Sequence, residues 1–371
     1  MSLYDMYSFV RLLQLTPLFN PKLKITNYGD IMAQLTRWLA SVILLSMSSI
    51  APTQAGLLDW LFPDSTYAQT QHPIVMVPGA FAFDNTLGLI DYWHGITEEL
   101  RDEGAEVYVV NLSSLAFHEQ RGSELLADIE EIIAITGAQK VNLMAHSQGA
   151  SASRYVAKHR PDLIASISCS NCMNEGTHFA GNFSEFIQSN SLLNLLTVSL
   201  LDNLFNFIEA GSAYPSDGDF NSEYRGTQSS EALLVAASLD DYDRFNALYP
   251  EAMPSVDCSK INNGINGHTG GGQELVNGVR YFSWGGNSTI TNILDPLDIT
   301  LIPIVGAFMP QDIIWDGLVP GCGQALGTLL RDDYPTNHYD AINQTAGITQ
   351  LFVDVPSIFV TQANRLKNMG L

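Results

Sequence analysis

With 371 residues, 46% of them hydrophobic, the chain is long enough for one large domain with a full core or for two ordinary ones, and one domain is the reading adopted. Its 39 acidic and 17 basic residues give a formal net charge of -22 at pH 7, which repels phosphate backbones and anionic membranes and argues against nucleic-acid binding. An acidic surface keeps exported proteins soluble but names no substrate.

In chain order, the first feature is Arg37, followed by the apolar run Trp38–Met47 and then by small and polar residues ending in Thr53, Gln54 and Ala55. A charged flank, a short apolar stretch and small residues make the pattern of a secretory signal, and the run is too short to span a bilayer comfortably. The residues ahead of it fit a signal poorly. Met32 is therefore read as the initiator, residues 1–64 as extension and signal peptide, and residues 65–371 as the domain of a protein secreted by way of the periplasm.

From Pro73 onward, apolar runs alternate with helix-patterned stretches, which predicts an α/β fold with a mostly parallel central sheet and helices on both faces. Ile74–Val77, Glu106–Asn111 and Lys140–Met144 read as buried strands. Gly122–Thr136 reads as a helix, with Leu125, Leu126, Ile129, Ile132 and Ile133 at helical spacing. Ala150–His159 is helix-like, and Val279–Trp284 resembles a later strand. Between Phe183 and Ala210 leucines and phenylalanines crowd a stretch with almost no charge, either a buried helix or a cover over something apolar. Asn262–Gly272, rich in Gly and Asn, reads as a loop. Four cysteines in an exported chain are compatible with disulfides in three pairings. Cys169 and Cys172 lack the partner pair of a zinc site and read as structural or free.

The chemistry centres on Ala145-His146-Ser147-Gln148-Gly149, between a strand and a helix. Such a sharp strand-to-helix turn lifts a serine hydroxyl clear of the backbone at a helix N-terminus that favours developing negative charge. Serine needs a base, and on such folds the acid and then the histidine follow it in the chain. Among the later histidines, His338 alone follows a late strand-like and helical stretch. Asp316 opens the turn Asp316-Gly317-Leu318-Val319 and is the best-placed acid, although an ordinary Asp-Gly turn reads equally well. An oxyanion hole needs two backbone N–H groups. Gln148 follows the nucleophile and Ala80 follows Pro78-Gly79 at the end of the first strand.

With these residues in place, the chain resembles the secreted triacylglycerol lipases of the Pseudomonas and Burkholderia type, which have the α/β-hydrolase fold with a helical lid and fold with a dedicated foldase. The likeness runs over nearly all of Ser65–Leu371. It includes Gln71–Asp84, His146-Ser147-Gln148-Gly149, Tyr281-Phe282-Ser283-Trp284-Gly285, Asn292-Ile293-Leu294-Asp295-Pro296, Asp316-Gly317-Leu318-Val319, Arg331–Gln344 and Ala363–Asn368. The resemblance implies hydrolysis of long-chain acyl-glycerol esters at a lipid–water interface by Ser147, Asp316 and His338. It further implies a structural calcium ion held by Asp295, Asp340, Gln344 and Ile348, a Cys258–Cys322 disulfide, and a mobile lid over Gln188–Ala210, within the wider apolar stretch 183–211. The chain departs from the pattern at Pro78, where these lipases usually have histidine, and at Ala80, where a bulkier residue is common. Two other readings stay open: a carboxylesterase or polyester hydrolase without interfacial activation, and a non-catalytic lipid-binding protein of the same fold.

Overall fold

The computed structural model describes residues 65–80, 91–189, 219–221, 229–255, 270–311 and 313–371. The chain divides into two units, Met1–Pro63 and Asp64–Leu371, and every described residue belongs to the second. The expected signal segment and start at Met32, residues 190–211 of the expected lid, most of the Asn262–Gly272 loop, and Cys258 all lie outside the described residues.

The elements in chain order are β1 (Ile74–Val77), α1 (Ile96–Asp102), β2 (Val107–Asn111), α2 (His118–Thr136), β3 (Val141–His146), α3 (Gly149–His159) and β4 (Ile164–Ser170). There follow α4 (His178–Gln188), β5 (Asp219–Asn221), α5 (Ser230–Ala236), α6 (Leu239–Leu248), β6 (Leu275–Val276), β7 (Val279–Gly286), α7 (Pro296–Gly306), β8 (Thr328–Tyr334) and α8 (Val355–Asn368). The sheet runs β5-β2-β1-β3-β4-β7, and both β6 and β8 pair with β7. All pairings are parallel except β6 with β7.

The period-two alternation of a strand divides the core between the two faces of this sheet. Val75, Val77, Leu143 and Ala145 point to one face, where Leu125, Ile129 and Ile132 of α2 and Ala152 and Val156 of α3 cover them. Ile74, Met76 and Met144 point to the other, against Ile96 and Leu100 of α1 and Phe359 and Ala363 of α8. Each of these contacts removes apolar area from water at about 25 cal/mol per Å². Among the described residues no helix is long and apolar enough to cross a membrane.

Two strands do not follow the hydrophobic pattern. In β4, Ser166, Ser168 and Ser170 occupy one face of a fully buried strand, and hydrogen bonds take the place of hydrophobicity: Ser166 donates to Asn142 Oδ1 at 2.7 Å, and Ser168 accepts from Gln362 Nε2 at 2.9 Å. β8 contains Arg331, Asp332 and Asp333 because it pairs with β7 and stays partly open to solvent.

Candidate active site

β3 is a central strand, and the chain leaves its end through Ser147, whose φ of +53° lies in the left-handed region, before entering α3. That turn is crowded. A Cβ on Gly149 would stand 2.4 Å from the Val77 carbonyl oxygen, and one on Gly79 would stand 2.5 Å from the Ser147 Cβ. Glycine at both positions therefore lets the β1 end pass directly beside the nucleophile turn.

The loop after β8 brings His338 to this turn. His338 Nε2 lies 2.9 Å from Ser147 Oγ and His338 Nδ1 lies 2.8 Å from Asp316 Oδ2. Asp316 is completely buried, and its carboxylate is surrounded by donors. Oδ1 accepts from the Leu318 and Val319 N–H groups at 3.0 and 2.7 Å. Oδ2 accepts also from Asn171 Nδ2 at 2.9 Å. The backbone N–H of His338 donates to the Asp316 carbonyl at 2.6 Å, so the acid turn and the base loop are joined by main chain as well as side chain. In this geometry an imidazole with one nitrogen fixed by a carboxylate can take a proton from serine with the other.

A second network lies behind the triad. The Gly79 N–H donates to Tyr92 Oη at 2.8 Å, Tyr92 Oη lies 2.7 Å from His146 Nδ1, and His146 Nε2 lies 3.0 Å from the His338 carbonyl oxygen. Proton counting assigns the roles: Tyr92 donates to Nδ1, which leaves the imidazole proton on Nε2 to reach the His338 carbonyl. Burial, followed by the nearby His338, holds the His146 pKa well below the usual histidine range, and burial pushes the Tyr92 phenol up. Both groups are thus neutral, as the network requires. From the other side, Arg121 donates to the Pro78 and Gly79 carbonyls at 2.7 and 2.9 Å and to the Ser113 carbonyl at 2.5 Å. Both peptide groups flanking Gly79 are held, and Ala80 follows immediately.

Ala80, Ser147 and His338 open onto one pocket whose other walls include Met173, Phe179, Leu233, Leu318 and Ile342. This lining is apolar, whereas the chemistry-bearing groups converge at one end. Gln148, the other expected oxyanion donor, is buried directly after the nucleophile and precedes α3.

The expected metal residues sit behind the base loop. Asp295 and Asp340 are buried, and so is Asp298, which was not expected there. Asp295 caps α7 by accepting from the Leu297 N–H through Oδ1 at 2.8 Å, while its Oδ2 is buried without a hydrogen-bond partner. Asp298 accepts from the Thr291 and Asn292 N–H groups and from Asn337 Nδ2. Asp340 accepts from Thr291 Oγ1 at 2.6 Å. Burial raises the Asp295 pKa, and burial together with the neighbouring Asp298 and Asp295 pushes Asp340 up to about 7. Among the described residues no three His, Cys, Asp or Glu side chains are arranged to hold a metal on their own. A cation there would draw on two carboxylates and neutral oxygens, a donor set that fits calcium and that Gln344 and the Ile348 carbonyl would complete. The orphaned Asp295 oxygen and the burial of neighbouring acids fit such a group.

Cys169 and Cys172 are buried free thiols, with Cys172 Sγ donating to the Ala145 carbonyl at 3.4 Å. Tyr92, Arg121 and Asn171 were not expected from the sequence. Tyr92 and Asn171 each act through one hydrogen-bonding atom and Arg121 through two, and only the left-handed φ of +43° at Asn171 matches a local preference of its residue type.

Known proteins resemble this chain over most of its length. A family model described as the alpha/beta hydrolase fold matches residues 72–294. The chain is 40% identical over 337 residues to a triacylglycerol lipase of Vibrio cholerae serotype O1, covering 90% of this chain and 98% of that protein. It is 33% identical to a triacylglycerol lipase of Pseudomonas fragi, over 81% of this chain and 98% of that one. A triacylglycerol lipase of Burkholderia plantarii is 30% identical, over 82% and 88% of the two chains.

Proposed function

The chain belongs to the α/β-hydrolase fold family and, within it, to the triacylglycerol lipases, and on that premise we propose that it hydrolyses long-chain acyl-glycerol esters through an acyl-enzyme formed on Ser147. The observation that carries this reading is the continuous relay from Ser147 Oγ through His338 to Asp316 at 2.9 and 2.8 Å, placed at the end of an apolar pocket.

His338 Nε2 takes the Ser147 proton as Oγ attacks the ester carbonyl. The oxyanion is held by the N–H groups of Ala80 and Gln148. The same imidazole hands its proton to the leaving alcohol and then activates water against the acyl-enzyme, while Asp316 keeps Nδ1 protonated. The apolar walls accommodate the acyl chain.

Further parts of the proposal rest on the sequence and on the donor chemistry described above. Asp295, Asp340, Gln344 and Ile348 hold a structural calcium ion, which neutralises the buried acids and pins the loop carrying His338. Cys258 pairs with Cys322, a pairing supported by the free state of Cys169 and Cys172. The chain is exported through a signal peptide that includes Trp38–Met47, folds with a dedicated foldase, and meets lipid through a lid at 183–211.

The test is hydrolysis of an emulsified long-chain triacylglycerol by foldase-refolded protein, with Ser147→Ala as control. Wild-type activity that the substitution abolishes is the expected result. Activity confined to short soluble esters would replace the lipase reading with an esterase one.

A further inference from the structure

One stretch of the surface differs from the acidic remainder. From Ile293 to Gln311 the only ionisable residues are Asp295 and Asp298, and both are fully buried. What faces outward from α7 and the loop before it is apolar: Ile293 is 76% exposed, Leu294 75%, Ile299 57% and Ile304 55%. Asn292 Nδ2 donates to the Thr349 carbonyl at 3.0 Å, tying this stretch to the loop that bears Leu351, 76% exposed, and Phe352, 102% exposed. In a chain with 39 acidic residues, α7 itself exposes none of them, and the exposed acid beside the Phe352 loop is Asp354.

The face adjoins the active-site pocket. Ile302, on the inner side of α7, lies against Gly317 of the acid turn; a Cβ on that glycine would be 3.1 Å from Ile302 Cδ1. Just beyond α7, Phe308 packs edge-on against Phe179 with ring centroids 6.0 Å apart, and Phe179 lines the pocket. The outer surface of α7 therefore continues, through one helix thickness and one aromatic contact, into the wall that receives the acyl chain.

Contiguous exposed apolar surface marks a place of interaction. Side chains standing as free of neighbours as Phe352 are embedded readily by a fluid lipid layer, whereas a folded partner would need a matching surface. The outward side of α7 is uncharged, and the acidic remainder of the chain, Asp354 beside the Phe352 loop included, repels anionic headgroups, so the partner is an uncharged lipid. We infer that the outward face of α7, together with the Leu351–Phe352 loop, is a fixed docking surface for neutral lipid, which seats the pocket mouth on the interface. This inference rests on the lipase reading for its substrate and requires no movement of the lid.

The experiment compares wild type with Ile299→Asp/Ile304→Asp and with Phe352→Ser, all in the full chain. Three quantities are read: co-flotation with phosphatidylcholine-coated triolein droplets, hydrolysis of that emulsion, and hydrolysis of a soluble short-chain ester. In the double variant, flotation and emulsion hydrolysis fall at least roughly tenfold, with a smaller fall for Phe352→Ser, and soluble-ester hydrolysis stays within about twofold. Flotation and emulsion hydrolysis equal to wild type overturn the inference. An equal loss on the soluble ester also overturns it, since the substitutions then act on the triad. So does a wild-type dimer that the aspartates dissociate without changing flotation, since the face then joins two copies. A wild type that floats on droplets but cleaves no ester refutes the lipase reading and leaves the docking surface standing.

Discussion

Two sets of buried carboxylates lie close together in the chain and have opposite environments. Asp316 is surrounded by the Leu318 and Val319 N–H groups, the Asn171 amide and the His338 ring. In the second set burial, and after it the nearby Asp298 and Asp295, push Asp340 up to about 7, and one oxygen of Asp295 is unpartnered. Burial penalises a carboxylate in both places and donors answer it in both, but only the second sets like charges beside one another and leaves a carboxylate oxygen without a donor. The first site needs nothing further; the second is where the proposed calcium ion would add the missing positive charge.

The sharpest way to break the comparison is Asp316→Asn, which keeps the shape of the acid site and exchanges a nitrogen for the oxygen facing His338. Turnover of a soluble ester is expected to fall by about four orders of magnitude with little change in thermal midpoint; a fall below tenfold would remove Asp316 from the relay. Chelation of the proposed calcium ion would act on the second site alone. It is expected to cost on the order of 3 kcal/mol, read as a lower thermal midpoint, and Asp295→Asn should abolish that response to chelator. A variant as chelator-sensitive as wild type would exclude Asp295 as a ligand.

A buried histidine extends the contrast to a group that must stay uncharged. Burial lowers the His118 pKa to about 4 against the opposing pull of Asp241. The folded-state pKa lies below the unfolded value near 6.5, so the unfolded chain binds the extra proton first. Its stabilising effect is complete above about pH 6.5 and is lost as pH falls toward 4, amounting to about 3 kcal/mol. Urea midpoints at the two ends of that range check this, and the pH-dependent loss should shrink in His118→Asn. The smallest effect is expected from Asn171→Ala, which deletes one of the donors to Asp316. It should lower kcat by roughly tenfold with KM nearly unchanged, and Asn171→Ser should recover part of it.

The strands that bury apolar residues on both faces could be read directly from the sequence, because Ile74–Val77 and Val141–Met144 have no polar residue that a helix or loop would explain better, Asn142 apart. β4 could not, since its serines find their partners on β3 and α8, far away in the chain. α2 begins at His118, ahead of the expected Gly122, because its first turn buries His118 and Arg121, polar residues that read as solvent-facing until their acceptors are known. The nucleophile announced itself because strand, turn and helix are local. Asp316 was one turn among several, and its distinction comes from Asn171, which lies 145 positions earlier. Chemistry held by one atom from each of several segments leaves no periodic trace.

The separation between the relay partners has a consequence in time. Ser147 and His338 are 191 positions apart, and His146 reaches the His338 carbonyl across 192. Contacts of such length close late, after the loop entropy between them has been overcome. During folding, β1, β3 and α3 can assemble before the loop that carries the base arrives. The nucleophile turn thus waits as an inert serine for most of the chain's assembly, and ester cleavage becomes a chemical clock for the arrival of the last strand.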